Sequence, residues 1–537
     1  MVGTSHYLLV PEALPTAIEG LLRHPCRGAS RTILDWPCSI VRRRWTYPHR
    51  CPGRPALPAK TIGVTYPTDM REAHFVFEPE SHDGTWWRPD QPARRLAGRL
   101  VLEEGSLTLR IDSPLIQPEP EPGIHSYPFG VWTELPLVHG DADGTPVTLI
   151  DVAGLSIAVP AVQVNEVWHA RFALFGAHVD AEALYDQVKM ACEHLDEFIG
   201  VPAMLPRLEW NDDGELLRAS AEVSRATVAS GDIPGVGRVE ASLEVDMAGS
   251  QSGSTVGLRS QWKLTPEAPT QLLDAIPQVG RLCDLVRLSC HCECALTSVW
   301  VRRAQSADDL RVISPLASVG RAPCQRSGFG HLFFTARRLP LDDGTFARWW
   351  EIRNHYARAW TLLTVHDDGR FPNVGERFAA YARALEALHH ADFTTPKLAA
   401  SERDERITRA LEAIPEDLKE WAEPLLQAAY APYFRGRIEE VLRAMGSVGF
   451  RLCGGDIEAF AGAVTKMRNA IIHPPATGSG TVLDSHDQFW VGSALYWLAH
   501  CYLVLKLGMS EGDLDKRLDT LPGAGEVEAS MRKRFSP

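Results

Sequence analysis

Residues 454–475 read GGDIEAFAGAVTKMRNAIIHPP, and this stretch decides how the C-terminal part of the chain is expected to fold. The two glycines indicate a turn, and Asp456 is a typical N-cap residue. The two closing prolines cannot continue a helix. Apolar side chains recur every three or four positions, which is typical of a helix with one buried face: Ile457, Phe460, Val464, Met467 and Ile471. The pattern predicts an amphipathic helix over 457–472.

Arg468, Asn469 and His473 form an R-x4-H pattern at the end of this helix. The forked, permanently charged guanidinium of Arg468 suits a phosphate that gains negative charge in a transition state. A histidine titrates near neutral pH, so His473 can take or give a proton. Asn469 can orient His473 or hold a phosphate oxygen. These residue types suit RNA transesterification, in which the ribose 2′-OH attacks the adjacent phosphate without a metal.

Two arrangements could bring the predicted catalytic groups together. An ideal helix separates Arg468 and His473 by about 140° around its axis. The helix end could unwind so that the arginine reaches round, or a two-fold partner could supply a second copy of the helix. The second arrangement predicts an active site at a dimer interface. A non-catalytic interpretation is also open, in which Arg468 binds a carboxylate of the bundle and His473 only caps the helix.

The composition limits the possible functions. The chain has 537 residues, 45% hydrophobic and 23% charged, which is ordinary for a globular protein of several domains. The net charge of −13 argues against nucleic-acid binding through a global basic field. An odd number of cysteines, 11, indicates a reduced, cytoplasmic protein. No cofactor is predicted.

A local basic cluster precedes the predicted helix. Its members could hold RNA phosphates, or they could form a solvated face paired with Glu439 and Glu440. They are Arg435, Arg437, Arg443 and Arg451. A second match to the arginine–histidine pattern, Arg348 with His355, is assigned no catalytic role, because 19 histidines produce such matches by chance.

The order of patterns along the chain predicts an α+β protein. An N-terminal antiparallel β-rich domain is followed by a C-terminal all-α bundle. The predicted boundaries are 1–69 for a flexible or non-native extension, 70–338 for the β-rich domain, 339–373 for a connecting helix, 374–520 for the bundle and 521–537 for a tail.

Alternating apolar residues around turns predict three hairpins, pairing 99–102 with 106–111, 147–150 with 155–159, and 241–247 with 256–264. Helices are predicted over 180–198 and 270–288 within the β-rich domain, and an aromatic-rich helix over 346–365. The uncharged segment 489–505 is interpreted as a buried helix, because it is short for a bilayer and contains His500.

The stretch Cys290-His291-Cys292-Glu293-Cys294 invites a zinc interpretation. The pattern from 290 to 301 is typical of a strand instead, and alternate strand residues lie about 6.6–6.8 Å apart, too far for thiolates that share one zinc. The cysteines are therefore predicted to be small buried hydrophobes, and no metal site is predicted.

The C-terminal part resembles a HEPN domain, a helical bundle family that contains many metal-independent ribonucleases. Arg468, Asn469 and His473 match its motif of an arginine, a polar residue and a histidine. Residues 384–389, ALEALH, are similar to the first helix of the ApeA-like HEPN branch. The resemblance implies that Glu386 positions the motif arginine; the alternative is a solvated surface carboxylate.

The N-terminal part resembles the same branch. Residues 84–90, GTWWRPD, and the following Gly98-Arg99-Leu100 are similar to the opening of the ApeA N-terminal domain, and the resemblance covers about 74–510. It implies an endoribonuclease of bacterial anti-phage defence by abortive infection. It also implies a homodimer or higher homo-oligomer formed through the HEPN domain. The N-terminal domain is expected to sense a phage-derived trigger or to regulate the HEPN ribonuclease.

Two other functions remain open. The HEPN domain could be a non-catalytic module that binds nucleotides or a partner. Alternatively, the β-rich domain could be the working part, as a ligand or protein sensor, with helices that only dimerise. No membrane partner is predicted.

Overall fold

The computed structural model describes residues 79–103, 106–116, 131–156, 166–200, 207–210, 216–220, 226–250, 253–304, 306–314, 331–339, 341–364, 373–393, 400–429, 433–472 and 484–536. The predicted extension, 1–69, lies outside them. The described residues belong to two compact units, which are presented separately. The first contains 79–190, 269–280 and 295–314, and the second contains the remainder.

The first unit is built on a closed ring of six antiparallel strands. In chain order these are β1 (Glu80–Trp87), β2 (Leu96–Glu103), β3 (Ser106–Ile111), β4 (Val131–Ala142), β5 (Thr145–Ser156) and β6 (Glu166–Phe175). They pair in the order β6-β3-β2-β1-β4-β5, and β5 pairs back onto β6. Alternating side chains point inside, so that Trp86, Leu109 and Trp168 are fully buried. The predicted antiparallel β-rich region is confirmed.

The first predicted hairpin is confirmed and the second is wrong. Strands β2 and β3 pair from Gly98↔Ile111 to Glu103↔Ser106. Gly154 was expected in a turn, but it lies inside the continuous strand β5, opposite Trp168 of β6. A Cβ at Gly154 would lie 2.6 Å from the Trp168 ring. The glycine therefore makes room for a buried indole and does not reverse the chain.

The helix predicted over 180–198 is also wrong. Residues Tyr185–Cys192 form strand β7, and only Leu195–Ile199 is helical, as α1. Leu184 was expected in the buried stripe, but 46% of it is exposed, whereas Tyr185, Val188 and Met190 are buried. The apolar spacing of three and four residues indicated a helix. The segment forms a strand instead, because it pairs with a neighbouring strand of the sheet.

The described part of the second unit contains five antiparallel strands. After the short pair β8 (Arg207–Trp210) and β9 (Leu216–Ser220), three strands form a meander: β10 (Ala226–Ile233), β11 (Gly237–Ser250) and β12 (Gly253–Pro266). The register from Gly237↔Pro266 to Ser250↔Gly253 confirms the third predicted hairpin. The last two described strands are β13 (Leu296–Arg303) and β14 (Asp309–Ile313), which belong to the first unit. There β14 pairs with β6.

A long helix, α2 (Leu272–Cys290), matches the prediction over 270–288. From Asp343 onwards every described element is a helix, which confirms the all-α C-terminal region. These helices are α3 (Asp343–His355), α4 (Ala357–Thr364), α5 (Val374–Asp392), α6 (Ala400–Glu412), α7 (Glu416–Ala429), α8 (Phe434–Ala444), α9 (Gly446–Leu452), α10 (Ile457–Ile472), α11 (Ser485–Leu507), α12 (Glu511–Leu518) and α13 (Ala524–Phe535). The predicted aromatic helix is divided at Tyr356.

Helix α11 is the centre of the bundle. Leu495, Leu498 and Val504 are fully buried, and the helix packs along α5. It ends where Gly508 adopts the left-handed conformation, with φ of 117°. Its interpretation as a buried helix is confirmed. Among the described helices, none is both long and apolar enough to cross a bilayer.

The C-terminal segment was expected to be a tail, but residues 524–535 form helix α13. Met531 is fully buried, and the Phe535 ring lies 5.5 Å from that of Phe460 on α10. The last helix therefore helps to fix the helix that carries the arginine–histidine motif.

Candidate active site

Helix α10, Ile457–Ile472, presents the motif and has the predicted bounds. The Asp456 carboxylate accepts a hydrogen bond from the Ala459 backbone N–H at 2.9 Å, so the predicted N-cap is present. Phe460, Val464 and Met467 are buried in the bundle. This packing fixes the rotation of the helix and leaves Arg468 half-buried at its edge.

Arg468 contacts an aromatic ring and pairs with no acidic residue of the described part of the chain. Its guanidinium carbon lies 5.2 Å from the centre of the Phe434 ring, on α8. One amino group donates to Asn469 Oδ1 at 3.2 Å, and the buried Nε has no acceptor among the described residues. Within the described part of the chain Arg468 forms no ion pair. The interpretation in which this arginine binds a carboxylate of the bundle therefore gains no support.

Asn469 is exposed and contacts Arg468 through its side-chain oxygen. The contact holds the guanidinium near the helix surface. His473 lies outside the described residues, which end on this side at Ile472 and resume at Asp484. The approach of His473 to Arg468 consequently stays a prediction.

Glu386 lies on α5 with a different partner from the one that the resemblance implied. Its carboxylate accepts a hydrogen bond from Arg437 and lies 3.9 Å from His390 Nε2. Glu386 and Arg468 make no ion pair with each other in the described structure. The structure therefore pairs this carboxylate with an arginine of α8 and not with the motif arginine.

His390 is a member of this cluster that the sequence did not single out. Arg437 Nη1 lies 2.7 Å from His390 Nε2, which must therefore be the unprotonated, accepting nitrogen. Burial lowers the pKa of His390, and the positive charge of Arg437 lowers it further, while Glu386 opposes both. One sequence signal could have identified His390: it follows Glu386 by four residues, so the two side chains lie on the same helix face.

Arg437 connects this cluster to the surroundings of Arg468. Phe434, which Arg468 contacts, precedes Arg437 by three residues on α8, so the two side chains are neighbours on one helix face. Two arginines, a neutral histidine and a carboxylate thus lie along one region where α5, α8 and α10 pack together. We call Arg468, Asn469, Phe434, Arg437, Glu386 and His390 the motif cluster.

The other arginines of the predicted basic cluster are ion-paired. Arg435 and Arg443 lie 2.8 and 3.0 Å from the two oxygens of Glu439, and both are about half exposed. This is the solvated face that was the alternative to RNA binding. Glu440, the other expected partner, instead lies 2.7 Å from Nε2 of the buried His389.

Arg451 has a structural role that the sequence did not predict. It lies 2.7 Å from Glu528, 3.1 Å from Asp515 and 2.7 Å from Asp519. Burial opposes its charge, but the three carboxylates raise the pKa of Arg451 above its usual value. The side chain joins α9 to α12 and α13, so it is not available to a phosphate.

The second arginine–histidine match also has structural partners. Arg348 donates to the Leu507 carbonyl at 2.9 Å, at the end of α11. His355 Nε2 lies 3.1 Å from Asp392. Asp392 also accepts from Tyr356 at 2.7 Å and pairs with Lys506 at 2.5 Å, beside a small cavity lined by Phe393, Ala444 and Leu505. The absence of a catalytic role for Arg348 and His355 agrees with these contacts.

The cysteine-rich stretch does not form the predicted strand. Cys290 ends helix α2, and β13 begins only at Leu296. The predicted burial is confirmed, since Cys290, Cys292 and Cys294 are at most 7% exposed. None of the seven described cysteines is disulfide-bonded.

Comparison with known protein families gives two matches. Residues 81–342 match the ApeA N-terminal domain 1, and residues 379–513 match the Apea-like HEPN domain. Neither curated proteins nor solved structures gave a match. The second matched range contains Glu386, Arg437 and the whole motif.

The two matches follow the order and the extent of the resemblance found in the sequence. They support a role in anti-phage defence and a HEPN domain of the nuclease type, and HEPN domains commonly bind RNA and dimerise. The β-rich region together with the helical bundle thus identifies the chain as an ApeA-like protein with a C-terminal HEPN domain.

Proposed function

We propose that the protein is a metal-independent endoribonuclease that cleaves RNA in the cytoplasm during phage infection, and so limits the infection at the expense of the infected cell. Arg468 stabilises the phosphate in the transition state, and His473 transfers protons. Asn469 orients the arginine. Glu386 acts indirectly, because its partner is Arg437.

The observation that carries the proposal is the state of Arg468. A half-buried guanidinium that lies on an aromatic ring, with no carboxylate partner among the residues that the structure describes, keeps its charge available for an anionic ligand. A purely structural arginine of this bundle is surrounded differently, as Arg451 demonstrates with three carboxylates. The Apea-like HEPN match over the same residues adds to this support.

The reaction requires one proton to leave and one to arrive. The ribose 2′-OH loses its proton to a base and attacks the adjacent phosphorus. Negative charge grows on the non-bridging oxygens, which Arg468 can contact with two parallel N–H groups. The 5′-oxygen leaves as it receives a proton from an acid. His473 fits either proton transfer, and the products are a 2′,3′-cyclic phosphate and a 5′-hydroxyl.

A homodimer fits this chemistry, because a second copy of α10 supplies the other arginine and histidine. Two histidines can then act as base and acid in one turnover. The β-rich unit is assigned the regulatory part of the proposal, in which it recognises a phage-derived trigger and controls the nuclease.

The test is RNA cleavage in excess EDTA with wild-type protein and the variants Arg468→Ala and His473→Ala. We expect cyclic phosphate ends from the wild type and loss of cleavage in both variants. His355→Ala is the matched control, because it belongs to the other arginine–histidine match and should retain activity. Circular dichroism in the same buffer checks that chelation leaves the protein folded.

Cleavage that persists in either motif variant would contradict the proposal. If folded wild-type protein binds RNA or nucleotides yet cleaves no RNA with or without lysate of infected cells, the HEPN domain is a binding module. The net charge of −13 and the ion pairs of Arg435 and Arg443 argue against a broad RNA-binding surface, so they favour a module that binds a nucleotide or a protein partner.

A further inference from the structure

Three cysteine sulfurs converge inside the second unit. Cys192 is the last residue of β7, Cys283 lies within helix α2, and Cys294 lies between that helix and β13. Their Sγ atoms all lie within 4.8 Å of one another, and all three residues are buried. The sulfurs of Cys283 and Cys294 lie 3.5 Å apart. We call these residues the sulfur cluster.

The spacing of the sulfur cluster resembles that of a metal site. A zinc ion with four ligands and zinc–sulfur bonds of about 2.3 Å holds its sulfurs about 3.8 Å apart. The observed separations bracket this value. The argument against zinc in the sequence applied to neighbouring residues of one strand, whereas these sulfurs come from three separate segments.

Simple packing accounts poorly for this convergence. A buried cysteine that serves as a small hydrophobe can point its sulfur towards any apolar neighbour. Here side chains from three separate segments place their sulfurs within 4.8 Å of one another. A disulfide would use only two of them, and the 3.5 Å separation of Cys283 and Cys294 is well beyond a sulfur–sulfur bond of about 2.05 Å.

We propose that Cys192, Cys283 and Cys294 bind one zinc ion as a structural site that joins the end of β7, helix α2 and the segment after it. The site shares no residue with the motif cluster and is independent of the proposed nuclease activity. On binding, the three thiols release their protons to solvent and the thiolates ligate the metal. The centre then carries a net charge of −1, so a neutral fourth ligand, such as water or an imidazole, suits it best.

The proposal also explains which cysteines of the CHCEC stretch matter. The Cys294 sulfur contacts the Glu193 carbonyl at 3.0 Å and also belongs to the cluster. The Cys290 sulfur contacts the carbonyls of Arg287 and Cys292 at 3.6 Å and is not a member of the cluster. Cys290 is as well buried as Cys294, each being 2% exposed. It therefore serves as a matched control of equal burial from the same segment.

The test is the metal content of the full-length protein, purified without chelators and measured by inductively coupled plasma mass spectrometry. We expect about one zinc per chain in the wild type and in Cys290→Ser, and a loss of at least fivefold in Cys283→Ser. A wild-type protein without zinc that also fails to take up zinc or cobalt would overturn the proposal. Zinc retained in folded Cys283→Ser would overturn it equally.

Cobalt substitution avoids dependence on a variant that could fail to fold. Wild-type protein loaded with Co²⁺ should show sulfur-to-metal charge-transfer absorption in the near ultraviolet and intense visible bands of a four-coordinate ion. Cobalt that binds without thiolate absorption contradicts the assignment. Mass spectrometry of the alkylated, unreduced protein supplies the last check, since a Cys283–Cys294 disulfide would also contradict it.

Discussion

Arg468 and Arg451 lie in the same helical bundle, yet their surroundings are opposite. Arg468 contacts the Phe434 ring and a neutral amide, and its Nε has no acceptor among the described residues. Arg451 lies among three carboxylates from two other helices. A guanidinium surrounded by carboxylates stabilises the fold, whereas one without them remains able to bind an anion. The difference teaches that the partners, and not the residue type, separate a functional arginine from a structural one.

The largest effect is expected for Arg468→Ala. RNA cleavage should fall by about 100- to 1,000-fold, the usual cost of removing one group that stabilises a transition-state oxyanion. The urea midpoint should change little, because Arg468 forms no ion pair with any described residue. Single-turnover cleavage and equilibrium unfolding of the same preparation measure both quantities. A large loss of stability with unchanged cleavage would reverse the assignments of Arg468 and Arg451.

Arg451→Ala should produce the opposite result. Its removal leaves three carboxylates close together, and we expect the free energy of unfolding to fall by about 2 kcal/mol. This is less than the 3–5 kcal/mol of a fully buried pair, because 17% of the side chain is exposed. Cleavage per folded molecule should stay within twofold. Arg443→Ala is the control, with an expected change within about 0.5 kcal/mol.

The Asp392 network extends the comparison to a structural carboxylate. Burial alone would raise the pKa of Asp392, but hydrogen bonds from Lys506, Tyr356 and Tyr502 lower it to about 2. Because the folded pKa lies below the unfolded one, the carboxylate stabilises the fold fully above about pH 4. This contribution of roughly 2 kcal/mol disappears as the pH falls through 2. Asp392→Asn should remove it, so its stability difference from the wild type should shrink below pH 4.

Arg437→Ala should reduce cleavage far less than Arg468→Ala does, by about tenfold or less, since Glu386 already neutralises part of its charge. The same substitution removes a cation beside His390, so the pKa of that histidine should rise. Nuclear magnetic resonance titration of the histidine ring protons measures the shift. A pKa that does not move would show that Arg437 and His390 are not neighbours in solution.

The elements that were predicted correctly are those whose signals are local. Helix α10 followed from an N-cap, a 3-4 apolar spacing and two prolines, all within 22 residues of sequence. The hairpin of β2 and β3 followed from alternation around a short turn. The errors arose where a distant partner decided the outcome. Gly154 faces Trp168 of another strand, and Tyr185–Cys192 became a strand through its pairing.

The sequence by itself determined the order of a β-rich region and a helical bundle, the motif helix, and the resemblance to ApeA-like HEPN proteins. These depend on periodicity and on motifs that neighbouring residues complete. Only the tertiary structure decided that Glu386 pairs with Arg437, that Arg451 joins three helices, and that Cys192, Cys283 and Cys294 meet. The physical reason is that ion pairs and sulfur contacts form between side chains that are distant in sequence, and no local pattern records which of them the packed chain brings together.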